Sequence, residues 1–368
     1  MKGFKNPRID SSAGGKAICV SGLVDITASA ENAKLDLSEP ANQTEVVEIL
    51  VEFFQINSTF GKQVNAGKTN VSGTFNIYSQ MCFPTGGVSS KTVQLLTHGL
   101  GCDRSYWDVA PDYSYVDYAA EQGYTTLFYD RLGVGLSDHP DPIQVVQFNL
   151  EISILHEFVQ LLRTGGLAGL NFEHVVGVGH SFGSIMSHGL AAKYPHDFDA
   201  LVLTGFTDSQ PGAGIGFSSS DMTIASQVKP GQFSGLSNGY LLAANIFGVQ
   251  FPFFRSPGFD QALLNIAEAK KDTVTIGEVI GSAMPMEQAA DFTGPIDVVN
   301  GEHDLVDCGG NCVIPYNKGA VVKDKFFPAA SSGSSWYIGE GSGHFINYHY
   351  VAHKAYEHIQ DFIKKNGF

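Results

Sequence analysis

The sequence is poor in charged residues, and most of those it has are acidic. Only 16% of its 368 residues are Asp, Glu, Lys or Arg, below the roughly 25% typical of soluble domains. The 37 acidic and 22 basic residues give a net charge of −15. Such a field repels phosphate backbones, so the composition excludes nucleic acid as a partner. The abundance of Gly, Ser, Thr and Asn beside this low charge indicates a globular, secreted protein.

Long apolar runs are also missing. The longest uncharged stretch, residues 230–254, is interrupted by Gly, Pro, Asn and Gln. It therefore lacks the roughly 18 continuous apolar residues that span a bilayer, and we predict no membrane span. Residues 1–16 carry Lys2, Lys5 and Arg8 with no apolar run behind them, so we expect no signal peptide in this stretch.

Cysteine is rare, and its spacing argues against a metal site. None of the five cysteines forms the paired CxxC units of a structural zinc site, so we predict no metal. We expect disulfides instead. The Gly-Gly-Asn between Cys308 and Cys312 permits a tight local turn, and Cys19 with Cys82 would tie down the N-terminal segment. Free, buried thiols in a reducing compartment are the alternative.

Three glycosylation acceptor patterns lie close together near the N-terminus. They begin at Asn42, Asn57 and Asn70, each followed two residues later by Ser or Thr. Such patterns mark surface loops of secreted proteins when they are used. Together with the expected disulfides, they predict an extracellular protein.

From residue 91 onward, short apolar runs alternate with longer amphipathic ones. This alternation is typical of βαβ units and of an α/β protein with a mostly parallel sheet. The predicted strands cover residues 92–97, 125–129, 175–178, 201–204, 296–300 and 335–338, and the clearest helices cover 145–163 and 346–364. Upstream, residues 46–54 show the Glu spacing of a helix, although a strand is also possible, and residues 73–82 are predicted to form a strand at the sheet edge.

The spacing of the later strands predicts an insertion. About ninety residues separate the strand at 201–204 from that at 296–300, far more than a crossover requires. We therefore predict a catalytic core of residues 1–206 and 295–368, with an N-terminal extension over about 1–72. Residues 207–294 are predicted to form a cap.

The most informative motif is Gly179-His180-Ser181-Phe182-Gly183, between a predicted strand and a predicted helix. At such a turn the backbone is strained, and Gly179 and Gly183 would leave room for Ser181 to project its hydroxyl into a cleft. The amides at the helix start would favour a neighbouring oxyanion. We interpret Ser181 as a nucleophile, with a packing turn in a glycine-rich chain as the alternative.

With this motif and the strand pattern, the chain resembles the α/β-hydrolase superfamily from about Gly73 to its C-terminus, and it looks like secreted fungal members. The resemblance implies the α/β-hydrolase fold, a mostly parallel central sheet flanked by helices and carrying an inserted cap. It also implies that His98-Gly99-Leu100-Gly101 completes an oxyanion hole, with the backbone amides of Leu100 and Phe182 as donors. Asp130-Arg131 matches a structural element of the family beneath the site.

In this fold the acid and the base follow the nucleophile along the chain. By the resemblance, Asp304 follows the strand at 296–300 in the place of the family's carboxylate, and His344 follows the last strand in the place of its histidine. Asp304 would orient the imidazole, which takes the serine proton and returns it to the leaving group. Asp307 and Asp208 remain alternative acids.

Other histidines and motifs predict no further chemistry. His349 and His353 have helical spacing suited to a metal, but no third ligand is evident, and we interpret both as surface residues. The dinucleotide fingerprint and the phosphate-binding loop are absent from the sequence, so we predict no cofactor. Epoxide hydrolases and haloalkane dehalogenases resemble this layout, but they carry aspartate at the position that Ser181 occupies in the Gly179–Gly183 turn. The serine at this position favours acyl transfer.

The sequence thus predicts a serine esterase or lactonase acting on a small-molecule apolar ester or lactone. The residues that could line an apolar pocket, or form the cap's own core, are Phe217, Met222, Phe233, Leu236, Tyr240, Phe247, Phe251, Phe253 and Phe254. Two alternatives remain open. One is a lyase of the same fold that uses the triad as an acid–base relay, and the other is a binding protein without catalysis.

Overall fold

A nine-stranded sheet organises the computed structural model, which describes residues 1–88, 90–281 and 286–368. The strands are β1 (Lys5–Ser11), β2 (Ala17–Leu35), β3 (Asn65–Pro84), β4 (Thr92–Thr97), β5 (Thr125–Tyr129), β6 (His174–His180), β7 (Ala200–Thr204), β8 (Met222–Ile224), β9 (Tyr240–Ala243), β10 (Val274–Thr275), β11 (Ile296–Gly301) and β12 (Ser335–Gly339).

Helices flank this sheet and fill the segment between β7 and β11. They are α1 (Gln43–Phe54), α2 (Phe60–Gln63), α3 (Tyr115–Glu121), α4 (Phe148–Thr164), α5 (Phe182–Lys193), α6 (Ala213–Ser219), α7 (Ala225–Val228), α8 (Pro230–Phe233), α9 (Ile246–Phe253), α10 (Gln261–Lys270), α11 (Ile276–Gly281), α12 (Leu305–Cys308), α13 (Val322–Phe326) and α14 (Ala352–Lys365). Short 3-10 turns cover Arg104–Trp107 and Ile346–Tyr348.

The large sheet is mostly parallel, as predicted. Its strand order is β1-β2-β3-β5-β4-β6-β7-β11-β12. Within this order, the six strands β5-β4-β6-β7-β11-β12 pair parallel with one another. The pairs β1–β2, β2–β3 and β3–β5 are antiparallel. β4, β5, β7 and β11 are buried along their whole length, as expected for parallel strands covered by helices on both faces. The carboxyl ends of the parallel strands therefore meet at one edge, where α/β proteins build their sites.

Two apolar clusters enclose the sheet. One contains buried residues of α4 and α5, and the other contains buried residues of α3 and α14. The helix predicted at 145–163 is α4, which starts at Phe148 and is capped by Gly165 in the left-handed conformation, with φ of 68°. The predicted C-terminal helix starts at Ala352 rather than at 346, because residues 346–348 form a 3-10 turn.

The N-terminal extension enlarges the sheet more than the sequence suggested. Residues 73–82 do form a strand, but they belong to the longer β3, which lies between β2 and β5. The prediction of an edge position was wrong, because β1 and β2 add two further strands outside β3. Residues 46–54 are helical within α1, whose N-terminus is capped by the Asn42 side chain accepting from Glu45 N.

The segment between β7 and β11 has its own small sheet, ordered β10-β9-β8, together with helices α6 to α11. No secondary structure was predicted here from the sequence. Part of the predicted cap, residues 282–285, lies outside the described residues. That residues 207–294 act as a separate cap stays a prediction.

Both expected disulfides are present. Cys19 is bonded to Cys82 across the β2–β3 pair, and Cys308 is bonded to Cys312. The fifth cysteine, Cys102, is a buried free thiol. Among the residues that the structure describes, no helix combines the length and hydropathy needed to cross a lipid bilayer.

Candidate active site

Ser181 lies at a sharp turn between β6 and α5. Its φ of 54° is in the left-handed region, where a residue with a side chain is strained. A Cβ on Gly179 would lie 2.5 Å from Ser184 Cα, and a Cβ on Gly183 would lie 2.1 Å from the carbonyl oxygen of Thr97. Both flanking positions therefore require glycine, and the turn leaves the Ser181 side chain at the wall of a cavity.

His344 and Asp304 form a buried hydrogen-bonded pair. His344 Nδ1 lies 2.6 Å from Asp304 Oδ2, and both side chains are fully buried. Asp304 ends the loop after β11 and caps α12, because its Oδ1 accepts a hydrogen bond from Asp307 N at 2.9 Å. This backbone contact fixes the carboxylate, which in turn fixes the imidazole plane.

The His344 ring lies beside the turn that carries Ser181. Its centroid is 4.8 Å from that of His180, and a Cβ on Gly205 would lie 2.9 Å from His344 Cε1. Ser181 N donates to the carbonyl of Thr204, at 2.8 Å, so the end of β7 contacts both residues. Within the described residues, His344 Nε2 is buried and has no hydrogen-bond partner. This nitrogen is therefore available to accept a proton.

The surroundings of His344 and of Asp307 shift the pKa of each group. Burial lowers the pKa of His344, but the neighbouring Asp304 carboxylate and Asp307 raise it more, so the net shift is upward from 6.5. Asp307 Oδ2 lies 3.4 Å from His344 Nδ1. Burial, together with the charge of Asp304, raises the pKa of Asp307 to about 8. The two carboxyl groups thus lie at different distances from the imidazole, and Asp304 is the nearer of the two.

Asp208, the other alternative acid, has different partners. Its Oδ2 accepts a hydrogen bond from the Tyr316 hydroxyl at 3.1 Å and lies 3.7 Å from Lys325 Nζ. The contacts of Asp208 therefore tie it to the segment around α13, and Asp304 and Asp307 are the carboxyl groups next to His344.

Leu100 and Phe182 line the same cavity as Ser181. The loop after β4 comes so close to the serine that a Cβ on Gly99 would lie 2.9 Å from Ser181 Cβ. Phe182 starts α5, and the first backbone N–H groups of a helix have no partner within the helix. The start of α5 and the loop after β4 therefore both lie next to Ser181 at the cavity.

Arg131 binds the loop after β4 through His98 and Gly99. Its guanidinium contacts Glu151 of α4 and Glu278 of α11, and all three side chains are buried. Arg131 Nη2 donates to the Gly99 carbonyl at 3.4 Å, and Arg131 N donates to His98 Nε2 at 3.1 Å. Burial raises the pKa of Glu151 to about 8, although the arginine opposes this shift. The family resemblance predicts a structural role for this arginine, but the sequence does not indicate its glutamate partners.

His349 was interpreted wrongly as a surface helical residue. It precedes α14, is fully buried, and its Nε2 accepts hydrogen bonds from the backbone N–H groups of Arg255 and Gly343, at 3.0 and 3.1 Å. Burial lowers the pKa of His349 to about 4. Its imidazole is therefore neutral near pH 7, and Nε2 can accept both hydrogen bonds. His349 therefore positions the loop that carries His344, whereas His353 is exposed as predicted.

The cavity at Ser181 has a volume of about 500 Å³ and a mainly apolar lining. Of the aromatic and aliphatic candidates in the insertion, Phe217, Met222 and Phe253 line it, and Phe253 also stacks on His344 with ring centroids 5.8 Å apart. The remaining candidates have other roles: Phe233, Leu236 and Tyr240 form a separate small core, Phe254 is buried in the second apolar cluster, and Phe247 and Phe251 are exposed.

Comparison with known proteins agrees with this architecture. Residues 94–352 match the model of the alpha/beta hydrolase family. No match is found among curated proteins. Similar solved structures include a monoacylglycerol lipase from Paleococcus ferrophilus, with a TM-score of 0.55 and 15% identity over 79% of this chain and 99% of that chain.

Two further solved structures have similar scores. An alpha/beta hydrolase from a Penicillium species has a TM-score of 0.53 and 15% identity, covering 80% of this chain and 95% of its own. An enol-lactonase from Burkholderia xenovorans has a TM-score of 0.52 and 15% identity, covering 79% and 97%. At these identities the likeness shows the fold alone.

Proposed function

Because the chain belongs to the alpha/beta hydrolase family, we propose that it is a serine hydrolase that cleaves a carboxylic ester or a lactone. The observation that carries the proposal is the buried His344–Asp304 pair, 2.6 Å apart, beside a serine held in the left-handed conformation. A strained serine next to an oriented imidazole is the arrangement that activates a hydroxyl group.

In the proposed mechanism, Ser181 Oγ attacks the carbonyl carbon of the substrate while His344 Nε2 takes the hydroxyl proton. The tetrahedral oxyanion accepts hydrogen bonds from the amides of Leu100 and Phe182. His344 then gives its proton to the leaving oxygen, which leaves an acyl group on Ser181. Water, deprotonated by the same imidazole, attacks this acyl group and releases the acid. Asp304 keeps the proton on Nδ1 and stabilises the imidazolium throughout.

The cavity supports an apolar small molecule as the substrate. Phe182, Ile185, Phe217, Met222 and Phe253 contribute apolar lining next to Ser181, and apolar walls favour binding of an acyl or alkyl group. The three similar structures include a lipase and an enol-lactonase, which suits a carbonyl substrate of the ester or lactone type.

Hydrolysis of p-nitrophenyl acetate and butanoate by the wild type and by Ser181→Ala tests the proposal. We expect Ser181→Ala to lose about 10⁴-fold or more in kcat, as happens when the nucleophile of such a triad is removed. Ser218→Ala, which changes an exposed serine on α6, serves as the control and should keep the wild-type rate. Equal rates in wild type and Ser181→Ala would contradict the proposal.

Trapping the acyl group separates hydrolysis from the two alternatives. After mixing with p-nitrophenyl butanoate and rapid acid quenching, the peptide that contains Ser181 should carry the mass of one butanoyl group. A lyase that uses Ser181 only as a proton relay would turn over its substrate without this adduct. A protein that only binds would give neither adduct nor p-nitrophenol.

We also propose that the protein is extracellular. Its two disulfides suit an oxidising compartment, and Asn42, Asn57 and Asn70 are all exposed. A glycan on Asn42 Nδ2 would leave its Oδ1 free for the cap of α1. The mass of protein from its native host, measured before and after deglycosylation and reduction, tests this proposal, and a mass equal to that of the bare, reduced chain would contradict it.

A further inference from the structure

The cavity at Ser181 has a wall that does not come from the insertion. Helices α1 and α2, which lie between β2 and β3, contribute Phe53, Phe54 and Gly61 to its lining. We call residues 43–63 the N-terminal wall. This segment lies outside residues 94–352, the part that matches the family model.

The N-terminal wall is fixed to the insertion. The Phe54 ring stacks on that of Phe217, with centroids 5.5 Å apart and planes 14° from parallel. The Gln43 side chain acts as an additional strand residue for β8, because its Nε2 donates to Met222 O and its Oε1 accepts from Ile224 N, both at 2.9 Å. Phe54 and Gln43 therefore hold the two ends of α1 against the segment that follows β7.

The strand that leads into the N-terminal wall is fixed to the core. Gln147 exchanges two hydrogen bonds with the backbone of Ala33, both at 3.0 Å. Gln144 makes the same pair with Leu35, at 3.2 and 2.7 Å. Four hydrogen bonds thus fix the end of β2 to the segment before α4. The N-terminal wall follows β2 in the chain, so it starts from a fixed position.

Consecutive neighbouring residues line the cavity from Ser181 to the end of β2. Phe182 follows the serine, and its ring centroid lies 5.9 Å from that of Phe148, the first residue of α4. The next residue back, Gln147, binds Ala33 of β2, and all of these residues line the cavity. The cavity therefore extends from Ser181 past the start of α4 to the end of β2 and the N-terminal wall.

The two helices of the wall pack against each other at the cavity. A Cβ on Gly61 of α2 would lie 3.7 Å from Phe53 Cε2 and 4.0 Å from Ile280 Cγ2, so α2 packs between α1 and α11. Phe53 and Phe54 also contact each other edge to face, with centroids 4.9 Å apart. Phe53 and Phe54 therefore contribute two packed rings to the lining on this side, which also includes Ser58 and Lys62.

We propose that the N-terminal wall selects the substrate, with Phe53 and Phe54 limiting the length of an extended, unbranched apolar chain attached to the scissile carbonyl. This inference rests on the proposed function, because it requires that the carbonyl of the substrate binds next to Ser181 while the attached apolar chain reaches towards the wall. It adds a determinant of specificity in a segment remote in sequence from the catalytic residues.

Two esters of different length test the proposal. We expect Phe54→Ala to raise the ratio of kcat/KM for p-nitrophenyl decanoate over p-nitrophenyl butanoate by about tenfold, since a change of one or a few methylene groups in an apolar pocket alters discrimination by 10-fold or more. Phe54→Leu, which disturbs packing less, should raise the ratio by a smaller factor. Val51→Ala is the matched control, because Val51 lies on the same helix but is 60% exposed.

The outcomes separate this inference from the proposed function. A ratio that stays at the wild-type value in both Phe54 variants, with unchanged circular dichroism spectra, would overturn the role of the wall. If Ser181→Ala abolishes turnover of both esters in that case, the proposed function stands and only this inference fails. Turnover that survives Ser181→Ala would instead remove the proposed function, whatever the ratio.

Discussion

Replacement of Asp304 by asparagine should lower kcat by several orders of magnitude while preserving the fold. Asparagine has the same shape, and its Oδ1 can still accept the hydrogen bond that Asp307 N gives at 2.9 Å. Its Nδ2 would then face His344 Nδ1, which lies 2.6 Å from Asp304 Oδ2 in the wild type. An amide NH₂ can only donate, so Nδ1 would become an acceptor and the ring proton would move to Nε2.

An imidazole protonated on Nε2 cannot take the proton of Ser181. The same change of tautomer in a serine protease triad lowers kcat by about 10⁴-fold, and we expect Asp304→Asn to cause a loss of about this size. Asp307→Asn is the matched control. Its carboxyl oxygen is 3.4 Å from His344 Nδ1, beyond the 2.7–2.9 Å typical of a charge-assisted hydrogen bond, so kcat should fall by less than about tenfold.

The assay is hydrolysis of p-nitrophenyl butanoate at saturating concentration, with circular dichroism to verify that both variants are folded. A larger loss in Asp307→Asn than in Asp304→Asn would refute this reasoning and assign the orienting role to Asp307. Comparable losses in both would show that the two carboxyl groups act as one unit.

Three other measurements follow from the contacts described above. The net upward shift of the His344 pKa means that kcat/KM should decline as the pH falls, through an apparent pKa above 6.5, because only the neutral imidazole accepts a proton; a pH–rate profile checks this. Arg131→Met leaves two buried carboxyl groups without their cation and should lower the free energy of unfolding by about 3–5 kcal/mol, whereas Glu278→Gln, which keeps one of these carboxyl groups on the guanidinium, should cost less in the same urea titration. Replacing both Cys19 and Cys82 by serine opens a loop with a sequence separation of 63 and should cost about 4 kcal/mol by the chain-entropy model, a value that thermal and urea denaturation would measure.

The parts of the site that follow from local sterics were predictable from sequence. Gly179 and Gly183 flank Ser181 because no larger residue fits the turn, and this requirement is visible as a five-residue motif. The resemblance to the α/β-hydrolase superfamily then pointed to Asp304 and His344, which follow the predicted strands at 296–300 and 335–338, and the structure places these two side chains in contact. The disulfide between Cys308 and Cys312 was likewise a local inference.

Contacts between distant segments were not predictable in the same way. Phe53 and Phe54 lie on the apolar side of a helix whose glutamate spacing was noticed, but nothing in a single sequence shows that this side meets Phe217, more than 150 residues later. His349 was misread because its neighbours suggested a helix, whereas the helix begins at Ala352. In both cases the tertiary environment, rather than the local pattern, determines the role of the residue.

The N-terminal wall and the strand leading into it are clasped by glutamine side chains, at Gln43, Gln144 and Gln147. Salt screens exposed charge pairs, but these side-chain amides carry no net charge. Salt should therefore change the strength of their hydrogen bonds very little. If the N-terminal wall selects the ester as proposed, the ratio of kcat/KM for long over short esters should therefore be the same at low and at high salt, and over the whole pH range in which the protein stays folded. In the extracellular location proposed above, the protein would keep this selectivity as the salinity and the pH of its surroundings change.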